Sequence, residues 1–494
     1  MMYKFKSLFI LLALFSSLQI SAKDYLASMF GIKSNGATLN TTAIQRAIDF
    51  IHEEGGGRLV FNVGRYLTGT IHLKSNVTIV LNEGAILLGS TNPYDYNIME
   101  RPVFSSFIHA DGQENIGIIG KGVIDSQGRE LAYNVIDQIH KGLLKDDLKL
   151  DRPAQRRPLG IYINKCKNVT IKGITIKNTS DWVQFYDHCE YLTIDGITVD
   201  SKEFWNNDGL DVGDCKHVRI TNCFVDATDD GICLKSHDPN AICEDIEIRN
   251  CVVRSSASGI KFGTMSLGGY KDIRIINNKV YDTFRSAFTI ATPDGGLVEN
   301  ILVDSLYAYN TGNAIYLRIC QRNQRPVGSM NNITIRNMYA EIPAEKPDKG
   351  YTYEGPENEY NPRNISPASI VGLEDGNDIT NVTLQNIEIV YPGGGNANYA
   401  YRGLSAADLD SIPEMRNAYP EFSQFRELPA WGFYIRHAKG IVFDNVKLTA
   451  KERDYRPAIV VQDAEDVDLR KVKYKEPGGG KKQVHVYKSK KVKK

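Results

Sequence analysis

The sequence lacks an excess of charge of either sign. Its 494 residues carry 59 Lys and Arg against 59 Asp and Glu, so the formal net charge is zero. Proteins that bind nucleic acid through its phosphates normally present a basic surface, so we expect no nucleic-acid partner. Apolar residues make up 42% of the chain. This share is enough for a sizeable core and excludes intrinsic disorder.

Cysteine is sparse and has no metal-binding spacing. The eight cysteines contain no Cys-x-x-Cys pair, and no His-x-x-x-His occurs, so we expect no metal and no cofactor. A disulfide or two stays open, but no disulfide framework is required. Cys223 and Cys251 occupy equivalent positions of the repeat described below, where we expect stacked buried thiols rather than a bond. For His188 and His237, near the predicted polar face, the default interpretation is a surface histidine without a special role.

The sequence also lacks an apolar run as long as a membrane-spanning helix, about 20 residues. Its longest such run, Leu8 to Leu18, is shorter and follows Lys4 and Lys6, which is typical of a secretory signal. Small residues at Ser21-Ala22 predict cleavage there, and no Cys follows that would accept a lipid. We therefore expect residues 1–22 to be a signal peptide and the mature protein to be periplasmic or secreted.

A repeat of two short alternating segments runs through most of the chain. The early steps between units are 23, 26, 28, 27 and 28 residues, and the units begin at Asn168, Tyr191, His217, Asp245, Asp272, Asn300, Asn332, Asn381 and Gly440. Apolar and polar residues alternate with period two, which predicts strands, and Asn or Gly at the break tolerates a left-handed bend. Such units bury their apolar side only by stacking on one another, so the pattern predicts a solenoid.

The period of two excludes a helical solenoid. A β-sandwich or propeller would use antiparallel hairpins, but Asn-Gly hairpin turns are absent between these strands. We predict an all-β, single-domain, right-handed parallel β-helix over residues 23–475. The amphipathic segment from Asn40 to Glu54 is predicted to be an N-terminal capping helix that protects the open sheet edge. The Lys-rich residues 476–494 are predicted to be a solvated tail.

Polar residues recur at matching positions in a second set of strands. One outward column is Asp181, Asp208, Asp230, Ser258, Ser286 and Asn313, and the next is Gln184, Asp211, Cys233, Lys261, Thr289 and Tyr316. Neighbouring coils lie about 4.8 Å apart, so Asp208 and Asp230 should stack with Asp229 beside them. Carboxylates this close resist joint ionisation, and at least one pKa should rise, as a general acid requires. An isolated Asp such as Asp195 is better read as a turn cap.

Two motifs around these acids resemble those of the family 28 glycoside hydrolases, which include polygalacturonases and rhamnogalacturonan hydrolases. Asn206-Asn207-Asp208-Gly209-Leu210-Asp211 is similar to the family's Asn-Thr-Asp-Gly-x-Asp, and Asp229-Asp230-Gly231-Ile232 to its paired-Asp motif. The likeness extends from about Asp24 to Thr449. It implies inverting hydrolysis of α-linked galacturonate-containing plant polysaccharide of the pectin or rhamnogalacturonan type, with Asp229 as general acid and Asp208 and Asp230 holding the water.

Two other family motifs are missing. Ala257-Ser258-Gly259 stands where polygalacturonases have Gly-His-Gly, and Thr289-Ile290-Ala291 where they have Arg-Ile-Lys. Cations on the same face would have to supply any carboxylate clamp. The candidate substrate-binding residues are Asn206, Asp211, Lys235, Ser258, Lys261, Arg285, Tyr316 and Arg318. We predict that plain polygalacturonan is a poor substrate and that a rhamnogalacturonan-type or side-chain-bearing oligosaccharide is better.

Three long intervals, residues 125–160, 341–366 and 391–431, are predicted to be loops that wall a groove, and the last should favour release of short products from a chain end.

Two alternatives to the hydrolase function stay open. A β-helix polysaccharide lyase would use the acids to hold Ca²⁺, and a non-catalytic adhesin would bind carbohydrate without cleaving it. We expect a monomer without a membrane span, whose partner is a pectic polysaccharide or oligosaccharide.

Overall fold

The computed structural model describes residues 23–98, 104–145, 157–202, 204–351 and 366–494. The predicted signal peptide lies outside these residues. The described residues form 34 strands that pair in parallel within one continuous sheet, wound as a right-handed β-helix. The predicted fold class is therefore confirmed. No helix among the described residues is long and apolar enough to cross a membrane.

The strands follow the chain in short segments at first and merge into longer, bent strands beyond residue 268. They are β1 Asp24–Leu26, β2 Gly57–Phe61, β3 Gly64–Thr68, β4 Ile71–His72, β5 Val77–Leu81, β6 Ala85–Gly89, β7 Ser106–Asp111, β8 Glu114–Gly120, β9 Val123–Asp125, β10 Leu159–Asn164, β11 Lys167–Lys172, β12 Thr175–Lys177, β13 Gln184–Asp187, β14 Glu190–Asp195, β15 Thr198–Ser201, β16 Leu210–Gly213, β17 Lys216–Thr221, β18 Phe224–Ala227, β19 Ile232–Ser236, β20 Cys243–Arg249, β21 Val252–Ser255, β22 Ile260–Ser266, β23 Gly269–Thr292, β24 Leu297–Ile319, β25 Ser329–Glu341, β26 Ala368–Val371, β27 Ile379–Tyr391, β28 Phe433–Arg436, β29 Ala438–Ala450, β30 Ile459–Gln462, β31 Glu465–Asp468, β32 Val472–Lys475, β33 Val484–Tyr487 and β34 Lys490–Lys493. The helices are α1 Thr41–Glu53, α2 Gly128–His140 and α3 Ala406–Asp410, with 3-10 helices at Ala27–Phe30, Pro93–Asp95, Ala397–Tyr399 and Phe422–Phe425.

A central coil consists of three strands, as in β16, β17 and β18. Each of them pairs with the equivalent strand of the coil before, β13 to β15, and of the coil after, β19 to β21. Inward residues stack in ladders, and Val218, Ile246 and Ile273 form one that is at most 1% exposed. The predicted alternation thus fills the interior with aliphatic side chains. We call the side formed by β13, β16, β19 and β22 the acid face.

The bends between strands use the residues that the repeat predicted. Asn222, Asn250 and Asn277 have φ of 56°, 55° and 54°, in the left-handed region that Asn tolerates. Their side-chain amides also join successive coils, since Asn277 Nδ2 donates to Asn250 Oδ1 over 2.7 Å and Asn250 Nδ2 to Asn222 Oδ1 over 3.3 Å. We call this stack the asparagine ladder.

The helical cap at the N-terminal end is confirmed. Helix α1 buries Ile44, Ala47, Ile48 and Ile51 and packs against β2, β4 and β5. After it, Gly56 has φ of 118°, and a Cβ there would lie 2.6 Å from the backbone oxygen of Asn76. Only glycine lets the chain turn this sharply beside the next coil.

The predictions for the C-terminal end and the long intervals need correction. Residues 476–494 are not wholly a solvated tail, because β33 pairs with β30 and β34 with β31 as a last coil. Val484 is buried there, while the lysines of β34 stay exposed. The first long interval contains α2, and the last contains α3 and two 3-10 helices. Residues 352–365 lie outside the described residues.

The cysteines are buried free thiols. None of the eight forms a disulfide, and Cys223 and Cys251 sit in neighbouring coils as expected. The pKa of the Cys215 thiol is raised well above its usual value, first by burial and then by the neighbouring cysteines. The Cys215 thiol therefore behaves as a small core residue rather than as a reactive group.

Candidate active site

Close packing of the coils positions the acids. Asp208 and Asp230 each precede a glycine at the start of a strand on the acid face, and the Gly209 N–H donates to the Asp230 carbonyl oxygen over 2.8 Å. A Cβ on Gly209 would lie 2.7 Å from the Gly231 oxygen, and one on Gly231 would lie 2.2 Å from the Val253 side chain. The Asp-Gly pairs are thus required for the coils to stack this closely, and they bring the two carboxylates into line.

The three predicted acids form one cluster. Carboxylate oxygens of Asp208, Asp229 and Asp230 all lie within 4.8 Å of one another. Asp208 and Asp230 are buried, whereas Asp229 is half-buried at the mouth of the site. Asp229 Oδ1 accepts a hydrogen bond from the Asp230 N–H over 2.9 Å, which fixes the turn between them. We call these three residues the acid cluster.

Two buried lysines face the acid cluster. Lys235 Nζ lies 3.0 Å from an oxygen of Asp208 and 3.0 Å from an oxygen of Asp211. Lys261 Nζ lies 2.5 Å from Asp230 Oδ2. Asp211 is completely buried, so one ammonium group serves two carboxylates on the Lys235 side, while Lys261 serves Asp230 alone.

The pKa values on the two sides of the cluster shift in opposite directions for this reason. Burial raises the pKa of Asp208 well above its usual value and that of Asp211 to about 7; Lys235 opposes the rise, and neighbouring carboxylates add to it. Burial would also raise the pKa of Asp230, but the charges of Lys261, Arg285 and Lys235 outweigh it and hold this pKa below its usual value. The site therefore pairs a carboxyl whose pKa is raised with one whose pKa is lowered, a contrast that acid-base chemistry uses.

A pocket adjoins the cluster on the C-terminal side. It has about 210 Å³ of empty space and is lined by Ser258, Lys261, Arg285, Ser286, Thr289, Tyr316, Tyr419, Pro420, Glu421 and Phe422. Arg285 Nε lies 3.1 Å from Glu421 Oε2, and Lys261 Nζ donates to the Tyr419 hydroxyl over 3.0 Å. The segment 419–422, from the long interval 391–431, thus closes over this end of the acid face.

Most predicted site residues converge here, but two do not. The Ser258 N–H donates to Asp230 Oδ1 over 3.2 Å. Arg318, 1% exposed, instead donates to the Gly372 carbonyl oxygen over 2.8 Å and lies over the Phe425 ring, so it supports the loop. Asn206 accepts a hydrogen bond from Arg157 over 3.1 Å and has φ of 60°, so its side chain holds the turn before the acid cluster.

The register of the polar columns was wrong in one coil. The structure aligns Asp211, Cys233, Lys261, Thr289 and Tyr316 as predicted, but Asp211 pairs with Phe185 rather than with Gln184. Gln184 is buried, donates to the Gly209 carbonyl oxygen over 3.0 Å and accepts from the Tyr186 hydroxyl. These internal bonds make the inward orientation of a polar side chain favourable, which period-two alternation does not predict.

Other residues at the site were missed as site residues. Asp181 lies 3.6 Å from Arg157, and burial raises its pKa to about 6, with Arg157 opposing the rise and Asp229 adding to it. The Lys235 ammonium lies 4.5 Å from the centre of the Trp182 ring. Asp181 and Trp182 stand in the polar strand pattern, which was a usable signal. Tyr419 and Glu421 carry no local motif.

The chain thus combines a parallel β-helix with a cluster of acids in adjacent coils. The sequence model of the Glycosyl hydrolases family 28 matches residues 59–292, which include all three acids. Residues 59–292 of the chain therefore belong to this family. The resemblance drawn from the two acid motifs is thereby confirmed.

Individual relatives are more distant. The chain is 27% identical to an exo-poly-alpha-D-galacturonosidase of Dickeya chrysanthemi over 42% of its own length and 40% of that protein. It spans 40 to 61% of the first three curated relatives it matches. Two exopolygalacturonase structures share the fold: that of Yersinia enterocolitica has a TM-score of 0.62 at 19% identity, covering 95% of this chain and 78% of that one, and that of Thermotoga maritima has 0.60 at 23%, covering 75% and 87%.

Proposed function

We propose that this protein hydrolyses glycosidic bonds of a pectic polysaccharide with inversion at the anomeric carbon. The observation that carries the proposal is the acid cluster, in which the half-buried Asp229 has carboxylate oxygens within 4.8 Å of those of Asp208, whose pKa is raised, and of Asp230, whose pKa is lowered. Family membership and the names of the relatives, galacturonosidases and polygalacturonases, support the choice of substrate class.

The proposed roles follow exposure and charge. Asp229 is the half-buried member at the mouth of the site and gives its proton to the leaving oxygen. Asp230, held ionised by Lys261, takes the proton of the attacking water, and Asp208 helps to position that water. In most inverting glycosidases the two catalytic carboxyl groups lie about 6.5–9.5 Å apart. The carboxyl groups of the acid cluster are closer together than this. Inversion therefore requires a water held by Asp208 and Asp230 together rather than one placed between acid and base.

The proposed specificity rests on the observation that the cations near the site are already paired with carboxylates of the protein. Lys261 and Arg285, the cations nearest the missing Arg-Ile-Lys position, pair with Asp230 and Glu421. Breaking such a buried pair to grip a substrate carboxylate is costly. Plain polygalacturonan is therefore proposed to be a poor substrate, and a rhamnogalacturonan-type or side-chain-bearing pectic oligosaccharide a better one.

Turnover of acid variants tests the proposal. Asp229→Asn should lower kcat by at least about a hundredfold, because positioned proton transfer contributes about 10²–10⁴-fold. Asp208→Asn should have a similar effect, because it removes a group that positions the attacking water. Thermal unfolding should stay cooperative in both variants. Asp195→Asn is the matched control, since Asp195 accepts bonds from Thr221 and Asn222 on another side of the coil and should leave kcat unchanged. Near-normal turnover by Asp229→Asn on any substrate of the wild type would refute the assignment.

Product analysis distinguishes hydrolysis from the lyase alternative. Hydrolysis of pectic fragments creates reducing ends without ultraviolet absorption and persists in a chelator. A lyase would create an unsaturated uronate that absorbs in the ultraviolet, and it would stop when Ca²⁺ is removed. Binding without new reducing ends would favour the adhesin alternative.

The proposed export of the protein, which rests on Lys4, Lys6 and the apolar run after them, is tested by sequencing the N-terminus of the protein recovered outside the cytoplasm.

A further inference from the structure

A second group of ionisable side chains gathers at the opposite ends of the strands that follow the acid cluster. Asp187 ends β13 and His188 follows it, Asp214 follows β16, and His237 follows β19. The same turn of three successive coils thus contributes to one place. One ligand atom from each of these four residues lies within 4.8 Å of the others. We call them the histidine-aspartate cluster.

The contacts inside this cluster converge on one point. Asp187 Oδ1 lies 2.8 Å from His188 Nδ1 and 2.8 Å from His237 Nε2, and Asp214 Oδ2 lies 3.6 Å from His237 Nε2. Asp214 is only 4% exposed, and its Oδ1 has no hydrogen-bond partner. A buried carboxylate oxygen without a partner is unfavourable unless something else binds there.

The arrangement around the cluster resembles the outer support of a metal site. The second ring nitrogen of His188 lies 3.2 Å from Asp238 Oδ2, so a carboxylate orients the ring from behind. Metal-bound histidines almost always have such a partner. The side chains of His188 and His237 are 22% and 34% exposed, which leaves a path for an ion from solvent.

We propose that the histidine-aspartate cluster binds one divalent transition-metal ion of the Zn²⁺ type. Its ligands are His188 Nδ1, His237 Nε2 and one oxygen each of Asp187 and Asp214. Two imidazoles and two carboxylates suit Zn²⁺ better than Ca²⁺ or Mg²⁺, which prefer oxygen alone. Tetrahedral bonds of about 2.0–2.1 Å place ligand atoms roughly 3.3 Å apart, and the contacts of 2.8 to 3.6 Å in the cluster are close to this spacing.

The bound ion would cross-link neighbouring coils beside the acid face. It would tie together the three coils whose strands β13, β16 and β19 form the acid face. An ion that binds only the folded protein stabilises it, by an amount that grows with the logarithm of the ion concentration above the dissociation constant. This metal site is independent of the proposed hydrolysis, because none of its four ligands belongs to the acid cluster.

Zinc titration of the full chain tests the proposal. Protein stripped with EDTA and returned to buffer should bind about one equivalent of Zn²⁺, measured by calorimetry and by metal analysis after gel filtration, and its Tm should rise. His237→Ala and Asp214→Asn should bind at least about a hundredfold more weakly and show no Tm rise with zinc. Asp238→Asn, which changes only the outer carboxylate, should weaken binding about ten- to hundredfold.

Two control variants identify the site. His217→Ala removes an exposed histidine that pairs with Asp245 over 2.9 Å and should bind zinc as the wild type does. Asp229→Asn should also retain zinc, because the acid cluster is a different group. Failure of the wild type to bind zinc would overturn the proposal, as would unchanged binding by His237→Ala and Asp238→Asn. If His237→Ala does not fold, zinc binding by Asp238→Asn alone tests the proposal.

Discussion

The opposite charge environments of Asp208 and Asp230 are the basis of the proposed chemistry. Both side chains are buried, so burial disfavours ionisation of each. What differs is the number of carboxylates that each lysine must neutralise: Lys235 faces two, and Lys261 faces one. The same residue type therefore has a raised pKa on one side of the site and a lowered pKa on the other.

Lys261→Met should move the acidic limb of the pH profile of kcat/KM upward by at least about one unit. The reason is that Lys261 is the leading charge that lowers the pKa of Asp230 against its burial, and an adjacent cation typically lowers an Asp pKa by about 1–3 units. Stability should follow the same sign. In the wild type the ionised pair stabilises the fold above the usual pKa of Asp, and this stabilisation is lost as the pH falls through the lowered pKa.

Two further variants complete this measurement. Lys261→Arg keeps the charge and should keep the acidic limb near its wild-type position. Lys439→Met removes a mostly exposed lysine that lies 3.4 Å from Glu465, and should not change the profile. An acidic limb that stays in place in Lys261→Met would show that Asp230 is not the base whose ionisation limits the rate.

The bends are the elements on which the stacking of the coils depends. The asparagine ladder combines two contributions, a left-handed backbone and a side-chain amide bond to the next coil. Asn277 has both, with φ of 54° and a 2.7 Å bond to Asn250. The two contributions can be separated by substitution, because glycine keeps the backbone conformation and loses the amide.

Asn277→Ala should lower the free energy of unfolding by about 2 kcal/mol. Of this, roughly 1–2 kcal/mol comes from the left-handed conformation of a residue with a Cβ and about 1 kcal/mol from the lost hydrogen bond. Asn277→Gly should lose less, since it adopts the same φ without strain. Urea unfolding of both variants checks the difference. Equal losses would mean that the amide bond, and not the backbone, makes Asn necessary here.

The same elements explain how far the sequence predicts this structure. Period-two alternation and Asn or Gly at regular steps fix the coils, because each coil repeats the local rules of the one before. The two Asp-Gly motifs fix the acid cluster for the same reason. The inward orientation of Gln184 follows from bonds to Gly209 and Tyr186, which involve another coil and are not visible in a local pattern.

Long-range contacts were the other part that the sequence could not supply. Tyr419 meets Lys261 across 158 residues, and Glu421 meets Arg285, without a motif in either segment. The histidine-aspartate cluster has the spacings 1, 26 and 23 along the chain, which match no metal motif because the winding of the coils, not a local turn, brings its members together.

At the scale of the whole molecule, the groove along the acid face is closed on one side of the acid cluster. The segment 419–422 covers the pocket next to the cluster at one end of the acid face. Such a pocket accepts the end of a chain better than its middle. We therefore predict that the protein cleaves its substrate from a chain end.

Viscosity measurements should reveal this mode of action. On a pectic polymer that the enzyme cleaves, the viscosity should fall slowly for each reducing end released, and short products should appear first. Replacing Tyr419, Pro420, Glu421 and Phe422 by Gly-Ser residues should open the groove and make the viscosity fall faster for each bond cut. A steep loss of viscosity by the wild type would contradict the closed end.

The stereochemistry of the first product tests the central claim most directly. Proton NMR in the first minutes of hydrolysis, before mutarotation, reports the anomer released from an α-linked pectic oligosaccharide. The account predicts the β-anomer, because a water held by Asp208 and Asp230 attacks opposite the leaving oxygen that Asp229 protonates. Release of the α-anomer would contradict it and would mean that one member of the acid cluster attacks the sugar directly.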